Sequence, residues 1–366
     1  MNGEIYLDWN FIFNFMTDAF KAVGVPEADA KICADILVES DKKGIESHGV
    51  NRFKPIYIDR INAGIQNPVT NFEVVKETMT TAVVDGHDGM GMVISYKAMN
   101  MAIEKAKKCG MGMVAVRNST HFGISGYYAE MATKQNLIGI IGTNARPSQA
   151  PQFGVEALIG TNPMTFGLPT DEDFPFLLDC ATTITQRAAI EVWAREGKAT
   201  PEGMVIDSKG NYMTDSKEIL DALVKGEASL VPLGGPHVAY KGFGYATVIE
   251  ILSSALQMGS YMKMLSGIGE NGERQPHHLG HFFIAIDTEA FEGSENFKKT
   301  CGDILRSIRA SKKAPGRDRI YTPGEMEYLK WLDRKDKGVR INESIEKELV
   351  EIRDRYKLDY VFPFEK

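Results

Sequence analysis

A chain of 366 residues, 43% of them apolar, carries enough apolar material for two or three cores rather than one. Its formal net charge of -7, with no strong basic cluster, argues against following nucleic-acid phosphates. No apolar run approaches the roughly 20 residues of a membrane helix, and Cys33, Cys109, Cys180 and Cys301 form no Cys-x-x-Cys pair, so a reducing, cytoplasmic setting is expected.

The amino terminus, Met1-Asn2-Gly3-Glu4, has no basic start and no long apolar core, so no export signal is expected there. Asp8 is placed to cap a helix carrying Phe11, Phe15, Ala19 and Phe20. Pro26 opens a second, with Ala30, Cys33, Ala34, Leu37 and Val38 as its apolar stripe, and Gly44 ends it. Next comes Glu46-Ser47-His48-Gly49-Val50-Asn51-Arg52. If this segment turns helically, His48 and Arg52 share a face. A guanidinium grips a carboxylate with two parallel bonds while an imidazole moves a proton, which suits a 2-hydroxy or 2-oxo acid. A helix cap beside a solvated arginine is the plain alternative. Pro55 forbids one unbroken helix from Ser47 to Asn62, so a short turn followed by a new helix through Ile61, stopped at Gly64, is expected.

From about Thr80 the texture becomes short strands and helices. Thr81 to Val84 reads as a strand, Val93 to Lys108 as a helix and Gly112 to Val116 as a strand. Between them, Gly86-His87-Asp88-Gly89-Met90-Gly91 has the wrong glycine order for a dinucleotide fingerprint. Arg117 also stands where an acid should close the next strand, so a turn before an ordinary helix is expected. Strands at Ile138–Thr143, Thr165–Leu168 and Phe176–Leu178 precede a helix from about Thr183 to Glu196. Leu223 to Val231 is ambiguous, Tyr245 to Gln257 is a strongly apolar helix, and His281 to Asp287 is a strand. Gly267 to Pro276 is a glycine-rich polar loop. Helix returns beyond Phe297 and ends in an amphipathic stretch with Ile341, Ile345, Leu349, Ile352 and Tyr356.

Further segments carry chemistry. In Asn118-Ser119-Thr120-His121-Phe122-Gly123, His121 follows a strand's carboxyl end, where active sites gather, although a structural histidine fits as well. Thr161 and Asn162, in the turn-forming Gly160-Thr161-Asn162-Pro163, would hydrogen-bond a substrate or shape the turn. Asp179 ends a strand that reads as fully buried, where a carboxylate needs a partner. A histidine would serve, its tautomer fixed by the acid, and a helix cap is the alternative. The amides at Ala181 to Thr183, read as a helix start, would suit a pyrophosphate. Gly234-Gly235-Pro236 and Tyr240-Lys241-Gly242-Phe243-Gly244 allow close backbone approach to a ligand, with Lys241 as a partner for phosphate or carboxylate; a flexible hinge is the alternative. His277-His278-x-x-His281 matches no standard zinc spacing, and no metal site is expected. A metal-dependent hydrolase or lyase would need that cluster.

The blocks Ser47 to Arg52, Arg117 to Gly123, Gly160 to Pro163, Leu178 to Thr183, Tyr240 to Gly244 and Pro323-Gly324-Glu325 occur in the order seen in the type 2 malate/L-lactate dehydrogenase family, which the chain resembles from about residue 5 to 340. The resemblance implies an α/β (α+β) fold whose cofactor domain is not Rossmann, with a mixed, largely antiparallel sheet flanked by helices and helical terminal regions. It implies residues 1–75 as a helical region packing with the carboxyl-terminal region in a homodimer, 76–300 as the NAD(P)-binding catalytic domain, and 301–366 as a carboxyl-terminal helical region. The activity implied is hydride transfer between NAD, or NADP, and a small 2-hydroxy or 2-oxo acid, malate and oxaloacetate first. Lactate, sulfolactate, ureidoglycolate and a cyclic imine are the alternatives. Carried onto this chain, His48 is the proton donor and acceptor, Asp179 its orienting partner, and Arg52 and Thr161 the carboxylate grip. His121 competes with His48 for the proton. The cofactor contacts are Pro175, Phe176, Leu177, Leu178, Asp179, Cys180, Ala181 and Thr182, with Tyr240, Lys241, Gly324, Glu325 and Met326. His281 departs from the glutamine usual in Gly-x-Phe-Phe-x-Ala-Ile-Asp. Asn144-Ala145-Arg146-Pro147 lies where specificity is expected to vary.

Overall fold

The computed structural model describes residues 5–365, so the Met1–Glu4 stretch read for an export signal lies outside the described residues. Its centre is a seven-stranded sheet. In chain order the strands are β1 (Glu73–Glu77), β2 (Thr81–Asp85), β3 (Met111–Ser119), β4 (Leu137–Thr143), β5 (Met164–Leu168), β6 (Phe176–Cys180) and β7 (Leu279–Asp287). Their spatial order is β1-β2-β3-β7-β4-β5-β6. Only β2 and β3 run parallel, since a helix joins them, and every other pairing is antiparallel. The sheet is therefore mixed and mostly antiparallel, with none of the repeated crossovers of a Rossmann domain.

Helices cover both faces. Phe282 and Phe283 of β7 point to opposite sides, as strand alternation requires. Phe283 joins the main core with the terminal helices, while Phe282 fills the space left by the missing side chain of Gly142. The helices α1 (Trp9–Ala22), α2 (Glu27–Lys42), α3 (Gly91–Cys109) and α4 (Ser125–Thr133) lie on the Phe283 side, and α5 (Gly235–Leu252) on the other. The chain's two ends meet: Ile5–Leu7 pairs antiparallel with Val339–Ile341, and Phe15, Ile345 and Leu349 share one core. Asp8 caps α1 by accepting from the Asn10 and Phe11 amides. A separate small core of Ile190, Val205, Ile219 and Leu230 holds the helices Arg187–Arg195 and Ser216–Lys225 against a two-stranded ribbon. No described helix is long and apolar enough to cross a membrane.

Several local expectations need correction. The helix expected from Thr183 starts only at Arg187. Thr182, Thr183, Ile184 and Thr185 are β-branched and form an irregular bend rather than a helix, and the Thr182 and Ile184 amides donate to the Thr161 and Val231 carbonyls. No helix start is therefore available there for a pyrophosphate. The apolar helix is preceded by a short helical turn that opens at Gly235, where Pro236 fits, and the two meet at a kink on Val238, whose φ of -134° is not helical. Gly242 serves not a ligand but the Leu233 backbone, whose carbonyl oxygen a Cβ would meet at 2.3 Å. The Asp179 strand is not fully buried: β6 is the sheet's edge, and Asp179 and Cys180 are open to solvent. Gly91 opens α3 against the Thr120 carbonyl, so the glycine-rich turn before it packs on protein.

Candidate active site

The segment holding His48 is a chain of unlike turns. Glu46–His48 forms a 3₁₀ turn, Gly49 breaks it, Val50–Arg52 forms a second, and Phe53–Ile58 continues as a π-helix that absorbs Pro55. The break has a packing cause. The buried Asp41 carboxylate accepts from the Val50 amide at 2.8 Å, and a Cβ on Gly49 would lie 2.2 Å from Asp41 Oδ1. His48 and Arg52 are thus not stacked along one regular helix. Ser47 joins them instead: its hydroxyl meets His48 Nδ1 at 2.8 Å and its carbonyl accepts from Arg52 Nε at 2.7 Å.

His121 arrives from the loop after β3. Its ring lies parallel to that of His48, with centroids 5.7 Å apart and planes at 15°. Its Nδ1 meets the Tyr57 hydroxyl at 2.7 Å and accepts from the Gly123 amide at 3.4 Å. An amide can only donate, so Nδ1 carries no proton and Nε2 holds the N–H in the neutral ring. The two imidazoles line a cavity of about 290 Å3 with Thr161, Asp179, Ala181, Asn144 and Gln186. A second cavity of about 430 Å3, walled by Pro175, Leu177, Gly324 and Trp331, shares Glu327 with the first.

The electrostatics of the cleft follow from burial. Burial, then the Arg52 charge, lowers the His48 pKa to about 4. Burial, then His48, Arg60 and Arg52, holds His121 well below the usual imidazole range. Both rings rest neutral at neutral pH. Asp179 lines the same cavity. Protein crowds its carboxyl and raises its pKa even though solvent reaches the residue from the strand edge, while hydrogen bonds pull the other way. Those bonds come from the Gly126 amide in the first turn of α4, at 2.7 Å, and from the Thr165 hydroxyl at 2.9 Å. Asp179 therefore makes no hydrogen bond to either histidine, which corrects the acid–imidazole pair. The partners of the imidazoles are Ser47 and Tyr57.

The other expected site residues divide by strand face and by side-chain bonding. Thr161 and Ala181 line the first cavity, and Pro175, Leu177 and Gly324 the second. Asn162 is fully buried: it donates to the Ala246 carbonyl and to Glu250, and accepts from the Ala145 amide. It holds the Thr161 loop and has nothing left for a substrate. Phe176, Leu178 and Cys180 alternate to the opposite face of β6 from Leu177 and Asp179. Thr182 is buried against the Thr161 carbonyl. Glu325 is buried and accepts from Thr322 and Arg319. Gly324 is needed because a Cβ would lie 2.4 Å from the Pro175 carbonyl oxygen. Tyr240 and Lys241 are exposed on α5, and Met326 is exposed. The three histidines near β7 go separate ways: His277 to the Leu265 carbonyl, His278 to Asp88, His281 to Thr143. Ser47 stood within a block already singled out. Tyr57 had no sequence signal, because only the π-helix turns it toward His121.

The malate/L-lactate dehydrogenase family model matches residues 7–350. The malate dehydrogenase of Pyrococcus horikoshii is 40% identical over 360 residues, covering 96% of this chain and 97% of that protein. The L-sulfolactate dehydrogenase of Methanocaldococcus jannaschii is 41% identical over 337 residues, 92% of each chain. The crystal structure of malate dehydrogenase from Entamoeba histolytica superposes with a TM-score of 0.95 at 41% identity, covering 98% of this chain and 100% of that one. With a non-Rossmann sheet and paired imidazoles in one cleft, the chain belongs to the malate/L-lactate dehydrogenase family and is an oxidoreductase acting on the CH–OH group of hydroxy acids.

Proposed function

We propose that this chain is an NAD-dependent malate dehydrogenase working through His48, and that the parallel His48 and His121 rings carry this reading. Its relatives named malate dehydrogenase support the substrate, and a relative named NAD(+)-dependent ureidoglycolate dehydrogenase supports the cofactor. The adjoining cavities along β6 fit an elongated dinucleotide, since Ala181 lines one, Pro175 and Leu177 the other, and Glu327 both. When bound, the nicotinamide accepts the carbinol hydride or returns it. The residues do the rest. Ser47 accepts the Nδ1–H of His48, leaving Nε2 of the neutral ring free to take the hydroxyl proton. His121, with Nδ1 occupied by Tyr57 and Gly123, presents Nε2–H to the same oxygen and steadies it. Arg52, its Nε anchored by Ser47, offers its terminal nitrogens to the 1-carboxylate, with Thr161 beside them. In the reverse direction the anionic substrate raises the His48 pKa, and the protonated ring returns its proton to the 2-oxo oxygen.

The decisive variant is His48→Ala. We expect kcat for malate oxidation to fall by roughly a hundredfold or more while the Kd for NADH stays within about twofold. Near-normal kcat would remove His48 from the proton path. The neutral resting ring also predicts a flat kcat/KM for malate between about pH 8 and about pH 6. A limb near about 6.5 would mean the imidazole titrates as in water.

The reading includes a homodimer. The apolar faces of α1, α2 and the helix Glu343–Tyr356 are used within the subunit, whereas Tyr240, Tyr245, Val248 and Ile251 of α5 stand exposed on one helix. Such a strip matches a second copy of this chain better than water. Light scattering should give twice the chain mass for the wild type and a lighter species for Val248→Glu; a monomeric wild type would contradict it. The exposed free thiols of Cys109 and Cys180 suit a reducing, cytoplasmic setting.

A further inference from the structure

Glu250 is a buried acid that the proton path does not use. It lies near the end of α5, only 3% exposed, on the face that also buries Ala246 and Ile249. Both of its oxygens accept from neutral amides: Oε2 from the Asn162 side chain and Oε1 from the Met262 backbone, each at 2.7 Å. Burial raises its pKa, and those two bonds pull the other way. Hydrogen bonds to a buried carboxylate are among the stronger ones a side chain makes, so they hold whatever carries the donors.

Both donors belong to residues in left-handed backbone. Asn162 has a φ of +28° and Met262 of +48°, a region that side-chain-bearing residues keep only where their surroundings fix them. Beside Glu250, Asn162 donates to the Ala246 carbonyl at 3.1 Å and accepts from the Ala145 amide at 3.0 Å. Ala145 and Asn144 wall the histidine cavity, and so do Thr161 and Pro163, the residues on either side of Asn162. The two loops touch, since a Cβ on Gly160 would lie 2.3 Å from the Ala145 carbonyl oxygen. The Met262 segment joins the same knot, because Asn144 donates to the Ser260 carbonyl at 3.0 Å. One carboxylate thus ties three stretches of chain together, and two of them are walls of the cleft.

We propose that Glu250 is a positioning residue for substrate binding: through Asn162 it sets where Thr161 stands in the histidine cleft. The consequence for catalysis rests on the reading of Thr161 as part of the carboxylate grip. The plain alternative is an acid that stabilises the fold as a whole and no loop in particular.

The test uses Glu250→Met, which keeps the length of the side chain and removes both acceptors, with Ile249→Val as a control that trims the same helix face. Hydrogen exchange read by mass spectrometry should quicken roughly tenfold or more in residues 143–146, 160–164 and 260–264 of Glu250→Met, the loss typical of one bond to a charged group. Ile249→Val should show no such local rise. The KM for malate should rise roughly tenfold while kcat and the Kd for NADH stay within about twofold, because binding alone is loosened. Added to Thr161→Ala, Glu250→Met should then raise KM little further, as expected when one residue acts through the other. Exchange that stays at the wild-type rate in all three segments, or that rises evenly over the chain, would overturn the proposal. So would independent, multiplying effects of the two substitutions on KM. Should Glu250→Met not fold, Glu250→Gln, which can accept only one of the two donors, decides by the same local exchange. If Thr161→Ala alone leaves KM unchanged, the grip reading fails by itself, and exchange still decides whether Glu250 holds the loop.

Discussion

At the residue scale, the proposed mechanism rests on each imidazole holding one tautomer. In that reading Tyr57 positions the His121 ring, its hydroxyl meeting the Nδ1 that the donating Gly123 amide leaves free of a proton. Tyr57→Phe should lower kcat roughly tenfold, with the Kd for NADH unchanged, since only the Gly123 amide would then hold the ring. A kcat equal to wild type would show that Gly123 alone sets the tautomer. That His48, His121 and Thr161 come to one cavity was legible because chemistry-bearing side chains stand in short polar blocks between apolar segments. Asp179 was legible as a special acid but misread as a partner. Its strand lies at the sheet's edge, and the first turn of α4, which no local pattern places beside it, takes the carboxylate instead.

At the element scale, the segment from Glu46 to Asn62 shows why local propensity underdetermines structure. Pro55 announced a break but not its form: the chain widens into a π-helix over Phe53–Ile58, burying Phe53, Tyr57 and Ile58. The two long amino-terminal helices were legible because their apolar stripes, the Asp8 cap and Pro26 agree with one another. Gly49 is where the turn geometry is most exposed to test. A methyl group there would collide with the Asp41 carboxylate, which is buried and cannot yield into solvent. Gly49→Ala should cost about 1–3 kcal/mol in urea unfolding, as overpacking does. It should also lower kcat/KM by displacing His48, whereas Gly64→Ala, with open space at its Cβ but a left-handed φ of +71°, should cost stability and leave kcat/KM unaltered. A Gly49→Ala enzyme with wild-type kinetics would mean that this turn does not place the imidazole.

At the scale of the whole molecule, the buried titratable groups make folding itself depend on pH. Burial lowers the His281 pKa to about 3, and lowers His48 and His277 to about 4. Each returns to about 6.5 in the unfolded chain. Between those values the unfolded state binds more protons, so stability falls as pH drops through that window, and the loss is complete below the folded values. Asp41 opposes this. Burial pushes its pKa up to about 8 from 3.8, so it adds stability as pH falls from about 8. The sum of such terms hides each one, and a variant isolates a single share. His281 is fully buried, stacked on Phe122 at 4.5 Å, with Nδ1 on the Thr143 hydroxyl and Nε2 without a partner among the described residues. His281→Gln keeps a group able to bond Thr143 and removes the titration. From about pH 7 to about pH 5 the variant should lose about 2 kcal/mol less than the wild type, set by the pH distance below the unfolded imidazole value. Equal losses in urea unfolding at both pH values would mean that His281 is protonated inside the fold. In that case its Nε2 would need an acceptor beside Phe122.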